Sequence, residues 1–242
     1  MKLGFYPKLA WTGMRSNRKL YLPYLITCIS MVAMLYIVGY LSGAEAVRHL
    51  PGGQFIQESL NLGVWIIALF AGLFLVYSSS FLMRRRKKEF GLYNILGMGK
   101  GHLGMVVFWE TVMTAVISIS GGLVAGIMLS KLSELCIVNI VGGEVDYSLT
   151  ISGRSVITAC IVFAVIFLVI MVKSLWQIRR TNAINLLKSE NVGEKLPRMY
   201  WFWGILGAVI LGAAYYLALV IEDPLSALLL FFVAVGMVIL AT

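Results

Sequence analysis

Long apolar stretches separated by short polar ones run the length of this chain. Six of them hold about the twenty residues needed to cross a bilayer core at the helical rise. They are Tyr24–Leu41, Leu62–Met83, Leu103–Leu129, Val156–Leu175, Trp201–Val220 and Leu225–Ala241. In lipid every backbone polar group must be satisfied within the segment, which favours helices. The pattern predicts an all-α polytopic membrane protein with six transmembrane helices. The polar gaps are brief. Ser42–Asn61 holds the turn Pro51-Gly52-Gly53. Ser130–Ser152 holds Gly142-Gly143 and then Glu144–Thr150, whose alternation is compatible with a short strand or hairpin. The chain stops inside the sixth apolar run without a polar tail, so the expectation is a piece of something longer.

Ahead of the first span, Phe5, Leu9, Trp11 and Met14 are interleaved with Lys2 and Lys8. That mixture predicts a short interfacial helix over Leu3–Met14, with Pro7 in its first turn. It ends near Arg15–Lys19, and Pro23 marks the entry to the first span. Residues 1–23 are therefore expected to lie at the membrane surface and 24–41 to cross it.

Composition supports this picture. Of 242 residues, 60% are hydrophobic and 13% charged, against roughly a quarter charged in a soluble domain. A soluble globule is excluded. The formal charge of +9 does not by itself indicate nucleic acid, because its distribution follows membrane topology. Among the 20 basic residues, all but Arg48, Lys131 and Arg154 fall in the N-terminal segment or in the second-to-third and fourth-to-fifth connections. By the positive-inside rule those parts and the N-terminus are cytoplasmic. Most acids, including Glu45, Glu58, Glu134, Glu144, Asp146, Glu222 and Asp223, lie on the other side. The localisation expected is a cell membrane, crossed several times, with the N-terminus cytoplasmic. Cys28, Cys136 and Cys160 are scattered with neither a disulfide framework nor metal spacing.

The sequence offers no catalytic constellation, metal site or cofactor site. His49 and His102 fall on opposite sides of the membrane, and neither HExxH nor GxSxG occurs. Gly97-Met98-Gly99-Lys100-Gly101 is not a P-loop: Asn94 replaces the first glycine and Gly101 the magnesium-binding hydroxyl. These glycines are expected to end a helix and swing the backbone into the next span. Glu110 is the one acid inside a predicted span. It reads either as a proton or ion relay or as an interfacial acid paired with a cytoplasmic Lys or Arg, and the lack of a second intramembrane carboxylate favours pairing. Small residues at fourfold spacing (Ser118, Gly122, Gly126; Gly204, Ala208, Gly212; Ala68, Gly72) predict close helix packing.

The most informative stretch is Arg84–Lys100, between the second and third spans. Arg84, Arg85, Arg86, Lys87 and Lys88 are suited to anchoring at the inner leaflet. After them Phe90, Tyr93 and Leu96-Gly97 recur at helical spacing, as do Leu92 and Ile95, making a short helix with an apolar face. Lipid headgroups or the groove of a partner protein would cover such a face.

Arg86–Lys100 resembles the signature of FtsX-like ABC transporter permeases, in which a basic stop, a Glu-Phe-Gly core and a Leu-Gly-Met turn join two spans. Arg179–Lys188 is similar to the family's closing segment, although Asn182-Ala183 stands where a proline is common. Arg15–Tyr24 and its span resemble the bacitracin-type branch. The resemblance implies a permease unit over 62–188 with three spans, two further spans over 201–242, and a coupling helix at 89–97. Glu89, Phe90, Gly91, Leu92, Tyr93, Leu96 and Gly97 would meet a separate ATPase. It further implies two ATPase subunits carrying ATP and Mg, no enzymatic activity in this chain, and a role in antimicrobial-peptide resistance or sensing, or in lipid or peptide export, with a sensor histidine kinase as a further partner. A stand-alone ion or solute carrier using Glu110, and a non-enzymatic scaffold for a sensor kinase, are the alternative functions.

Overall fold

The computed structural model describes residues 5–48, 52–95, 97–141 and 151–180, together with residues 209 and 212, which are helical. The predicted fifth and sixth spans, the 142–150 segment and Leu96 lie outside the described residues. The chain divides into two compact units, Met1–Asn191 and Val192–Thr242, and the elements below belong to the first. In chain order they are α1 (Phe5–Ser16), α2 (Arg18–Gly43), α3 (Glu45–Arg48), α4 (Gly53–Arg85), α5 (Lys87–Ile95), α6 (Lys100–Val141) and α7 (Gly153–Arg180), with no strand among the described residues. Helices α2, α4, α6 and α7 are long and apolar enough to cross a membrane. This is an all-α polytopic membrane protein.

The helices run further than hydropathy marks them. Ser42–Asn61, expected as a loop, is mostly helical: α3 occupies part of it, and α4 starts already at Gly53. The turn between them uses Gly52 at φ +75°, and Gly53 packs where a Cβ would fall 2.3 Å from the Val47 carbonyl oxygen. Helix α6 likewise continues through Val141, well past Leu129. Hydropathy measures the lipid-facing length, whereas a helix persists into water while its backbone hydrogen bonds remain favourable. Pro23 sits inside α2, in its second turn, where its missing N–H removes one helical hydrogen bond.

Helix α2 is the centre of the bundle. Its Cys28, Val32 and Leu35 pack with Val64, Ala71 and Leu75 of α4 and with Ala159, Phe163, Ile166 and Phe167 of α7. Against α6 the contact is closer still. A Cβ on Gly122 would lie 2.4 Å from Val32 Cβ and 2.9 Å from the Ile29 carbonyl oxygen, and one on Gly126 would lie 3.0 Å from the Tyr36 ring. The Ser118-Gly122-Gly126 stripe thus forms the seam with α2, as its spacing predicts. Helices α2 and α6 run in the same direction, with α4 and α7 antiparallel to them. Outward-facing residues such as Trp65, Phe70 and Phe81 of α4 and Ile161, Val165 and Leu168 of α7 are exposed apolar groups, as expected where the solvent is lipid.

Candidate functional site

The site lies at the end of the bundle where α1, α5 and the Arg84–Lys88 run gather. Helix α4 passes into α5 through a single residue, Arg86, at φ −92° and ψ 2°. The Arg86 N–H still donates to Leu82 O, and the Phe90 N–H donates to Arg86 O. Successive helical residues point about 100° apart, so three neighbouring arginines cannot share an environment. Arg84 and Arg85 are exposed, whereas Arg86 is 2% exposed and turned inward. An inner-leaflet anchor is thus the wrong description for Arg86, because its guanidinium is inside the protein.

There it meets the acid that hydropathy left unexplained. Arg86 Nη1 stands 2.5 Å from Glu110 Oε2. The same nitrogen donates to the Tyr21 hydroxyl at 2.5 Å, which donates in turn to Glu110 Oε2 at 3.2 Å. Arg86 Nε reaches Glu89 Oε2 at 3.1 Å, and Asn17 Nδ2 donates to Glu89 Oε1 at 2.6 Å. The guanidinium also lies over the rings of Tyr21 and Phe90, at 5.4 and 5.0 Å from their centroids, a favourable cation–π placement. Burial pulls the guanidinium's affinity for its proton down, but Tyr21, Glu110 and Glu89 outweigh that and raise it above its ordinary value. Arg86 stays charged.

Helix α1 closes this junction from above. Its Ala10 and Met14 are buried, while Phe5 and Trp11 face outward, so the predicted amphipathic helix has its inner face on protein. A Cβ on Gly13 would sit 3.2 Å from both Arg86 Nη2 and Glu110 Oε1. Glu110 Oε1 is buried without a hydrogen-bonding partner among the described residues. Beside it is a cavity of about 30 Å3 lined by Tyr24, Ser79, Thr114 and Ser174 among others. Tyr6 extends the α1 seat by hydrogen-bonding His102 Nδ1 at 2.6 Å with the two rings stacked.

Helix α5 is rooted on its other face by apolar packing. Phe90 is buried with Met83, Leu103, Val107 and Ile178. Gly91 is buried too, Tyr93 is half-buried against that cluster, and Leu92 is 55% exposed. Gly97, at φ +88°, ends the helix, with the Met98 N–H donating to Tyr93 O in the manner of a glycine C-cap. The glycines here therefore turn the chain into α6. Lys100 Nζ then donates to the Arg179 carbonyl at 3.3 Å, joining the start of α6 to the end of α7.

The seven residues proposed from the sequence to meet an ATPase therefore divide. Glu89, Phe90 and Gly91 face the bundle, and Leu92 and Gly97 face outward. Sequence reading missed Gly13, Asn17 and Tyr21, and it placed Arg86 among its exposed neighbours. One signal was available. A lone intramembrane acid requires a cation, and Arg86 is the basic residue placed one turn ahead of Phe90 and so on its face. No group of three or more His, Cys, Asp or Glu side chains suited to a metal occurs among the described residues.

The opposite end repeats the motif between the same two helices. The Tyr40 hydroxyl donates to Glu134 Oε2 at 2.7 Å, and Lys131 Nζ reaches the same oxygen at 3.1 Å, with both charged groups buried. Nearby, a cavity of about 310 Å3 opens between α2, α4 and α7, lined by Gln57, Glu58, Asn61, Trp65, Arg154 and Thr158 among others.

Comparison with known proteins places this architecture. The chain is 26% identical over 87% of its length to an uncharacterized ABC transporter permease, YvcS, of Bacillus subtilis. It is 25% identical over 87% to the bacitracin export permease protein BceB of the same species, and 22% identical over 85% to BceB of Halalkalibacterium halodurans. It spans about a third of the length of these curated relatives. The family model for the FtsX-like permease C-terminal region matches residues 61–183, which take in α5, Arg86 and Glu110. With half the chain covered by that match, and with the basic stop, the Glu-Phe-Gly core and the glycine turn held in one helical joint, the chain belongs to the FtsX-like permease family.

Proposed function

We propose that this chain is the membrane subunit of an ABC transporter whose motion is driven by separate ATPase subunits, two in number, carrying ATP and Mg at the basic, cytoplasmic end. The family implies an ABC ATPase partner. The observation that carries the reading is α5: a nine-residue helix, joined to α4 without a loop, rooted in the bundle by Phe90 and presenting Leu92 outward. Such an element suits a groove on a soluble partner. Leu92 and Gly97 face the partner in this proposal, Tyr93 and Leu96 are further ATPase contacts carried by the family resemblance, and Glu89, Phe90 and Gly91 hold α5 to the spans. The exposed Arg84 and Arg85 serve as inner-leaflet anchors. Co-purification tests it. Leu92→Asp and Leu96→Asp should lower recovery of the ATPase by about tenfold, the effect of losing roughly 1.4 kcal/mol, while membrane insertion is kept. Undiminished recovery with both variants would overturn the reading.

The names of two relatives, bacitracin export permease proteins, suggest the biological setting, a response to peptide antibiotics of the bacitracin kind. A sensor kinase as an additional partner follows from the resemblance to the bacitracin-type branch alone. Deleting the gene should raise bacitracin sensitivity, and the wild-type chain should restore resistance where Leu92→Asp does not.

A further inference from the structure

We infer that the buried Arg86–Glu110 pair, held by Tyr21 and Glu89, is the positioning contact through which α5 moves α2 and α6 as one body. This rests on the permease reading above and names the residues that carry its motion.

The contacts of α5 divide into two kinds. Phe90 packs in an apolar cluster, and apolar contacts are non-directional, so they tolerate sliding. The Arg86 contacts are directional and charged. A buried charge pulled from its partner is stranded without water, a costly state. Displacement of the α4–α5 joint therefore reaches α2 and α6 through the polar contact before the apolar one. That contact ends on Glu110 of α6 and Tyr21 of α2, and its Glu89 branch reaches Asn17 at the start of α2.

Beyond the junction, α2 and α6 have little freedom to separate. Gly122 and Gly126 bring the two backbones together along the middle, and Tyr40–Glu134–Lys131 joins them again at the far end. From Glu110 to Glu134 is about 36 Å along the helix at the helical rise. A push at one end of such a pair appears at the other. The α4–α7 side is less tightly joined there, because the cavity of about 310 Å3 lies between α2, α4 and α7. It gives α2 room to move against them.

The test uses the chain with its ATPase in lipid nanodiscs, in a background without its native cysteines. Spin labels at Ser42→Cys and Asn61→Cys report α2 against α4 across that cavity, and labels at Ser42→Cys and Ser133→Cys report α2 against α6. Distances are measured without nucleotide and with ATP plus vanadate. In the wild-type chain the first distance should change and the second should not. Arg86→Met and Glu110→Gln should abolish most of the first change while the ATPase still co-purifies. The charge swap Arg86→Glu with Glu110→Arg should restore part of it. If Arg86→Met fails to accumulate, Glu110→Gln, which preserves shape, decides. An unaltered distance change in either variant, or a changing α2–α6 distance in the wild type, overturns the inference while the permease reading stands. Failure of the wild-type chain to retain the ATPase overturns both.

Discussion

Asn17 donates a 2.6 Å hydrogen bond to Glu89, and so joins the break between α1 and α2 to a helix far along the chain. Glu89 is shared with Arg86. The surface helix, the first span and the joint after the second are therefore one polar unit.

That unit makes the Arg86–Glu110 pair sensitive to single substitutions. Removing one partner of a buried pair costs about 3–5 kcal/mol because the other charge is left unpaired. Arg86→Met and Glu110→Leu should each lower the midpoint of thermal unfolding in detergent. The double variant should lose clearly less than the sum of the two. Additive losses would mean the two groups are not energetically coupled.

The α2–α6 seam makes a second prediction. Gly122→Ala places a methyl 2.4 Å from Val32 Cβ and against the Ile29 carbonyl. Overpacking of this sort costs about 1–3 kcal/mol. The neighbouring Gly121→Ala meets Ile29 only at 3.4 Å and should be tolerated. Val32→Ala should rescue Gly122→Ala little, because alanine keeps the Cβ at 2.4 Å and the Ile29 carbonyl stays in place. Monodisperse yield in size-exclusion chromatography would report all three, and equal yields for the two glycine variants would count against the seam.

Gly13 is the seat of α1 over the junction. Gly13→Leu cannot be accommodated above Arg86 and Glu110, so α1 should lift and become accessible to protease, and the emission of Trp11 should shift. A proteolysis pattern unchanged from wild type would show that α1 is held by its other contacts alone.

The turn into α4 gives a local contrast. Gly53→Ala drives a methyl into the Val47 and Arg48 carbonyls, whereas Gly43→Ala, at the last residue of α2, meets nothing within 4 Å and reduces the freedom of the unfolded chain. The first should destabilise and the second be neutral or stabilising in the same unfolding assay.

Topology is testable in whole cells. With an impermeant maleimide, Glu58→Cys should label and Lys8→Cys should not until the membrane is opened. The reverse result would place the basic end outside and remove the proposed ATPase site.

The first four spans, the N-terminal amphipathic helix and the short helix after the basic run were legible in the sequence, because each depends on apolar length or helical periodicity. The Gly122–Gly126 seam was legible as a spacing, though not the helix it meets. Glu110's need for a cation could be read, since an isolated acid in an apolar run has few alternatives. Its partner was legible only through helical phase: five consecutive basic residues look equivalent until they are counted back from Phe90, where Arg86 falls one turn ahead. Asn17 and Tyr21 were hidden for another reason: a polar side chain near a helix start reads as an ordinary solvated one. The α3 turn and the long ends of α4 and α6 escaped because hydropathy reports what faces lipid and is silent on helix beyond it.

A joint of one residue between α4 and α5 has no slack. Adding a single residue there would rotate Phe90 by about 100°, away from its seat, with both helices still intact. The alignment of this short rod is thus set by counting, and a one-residue insertion should disable it more thoroughly than many changes of side chain.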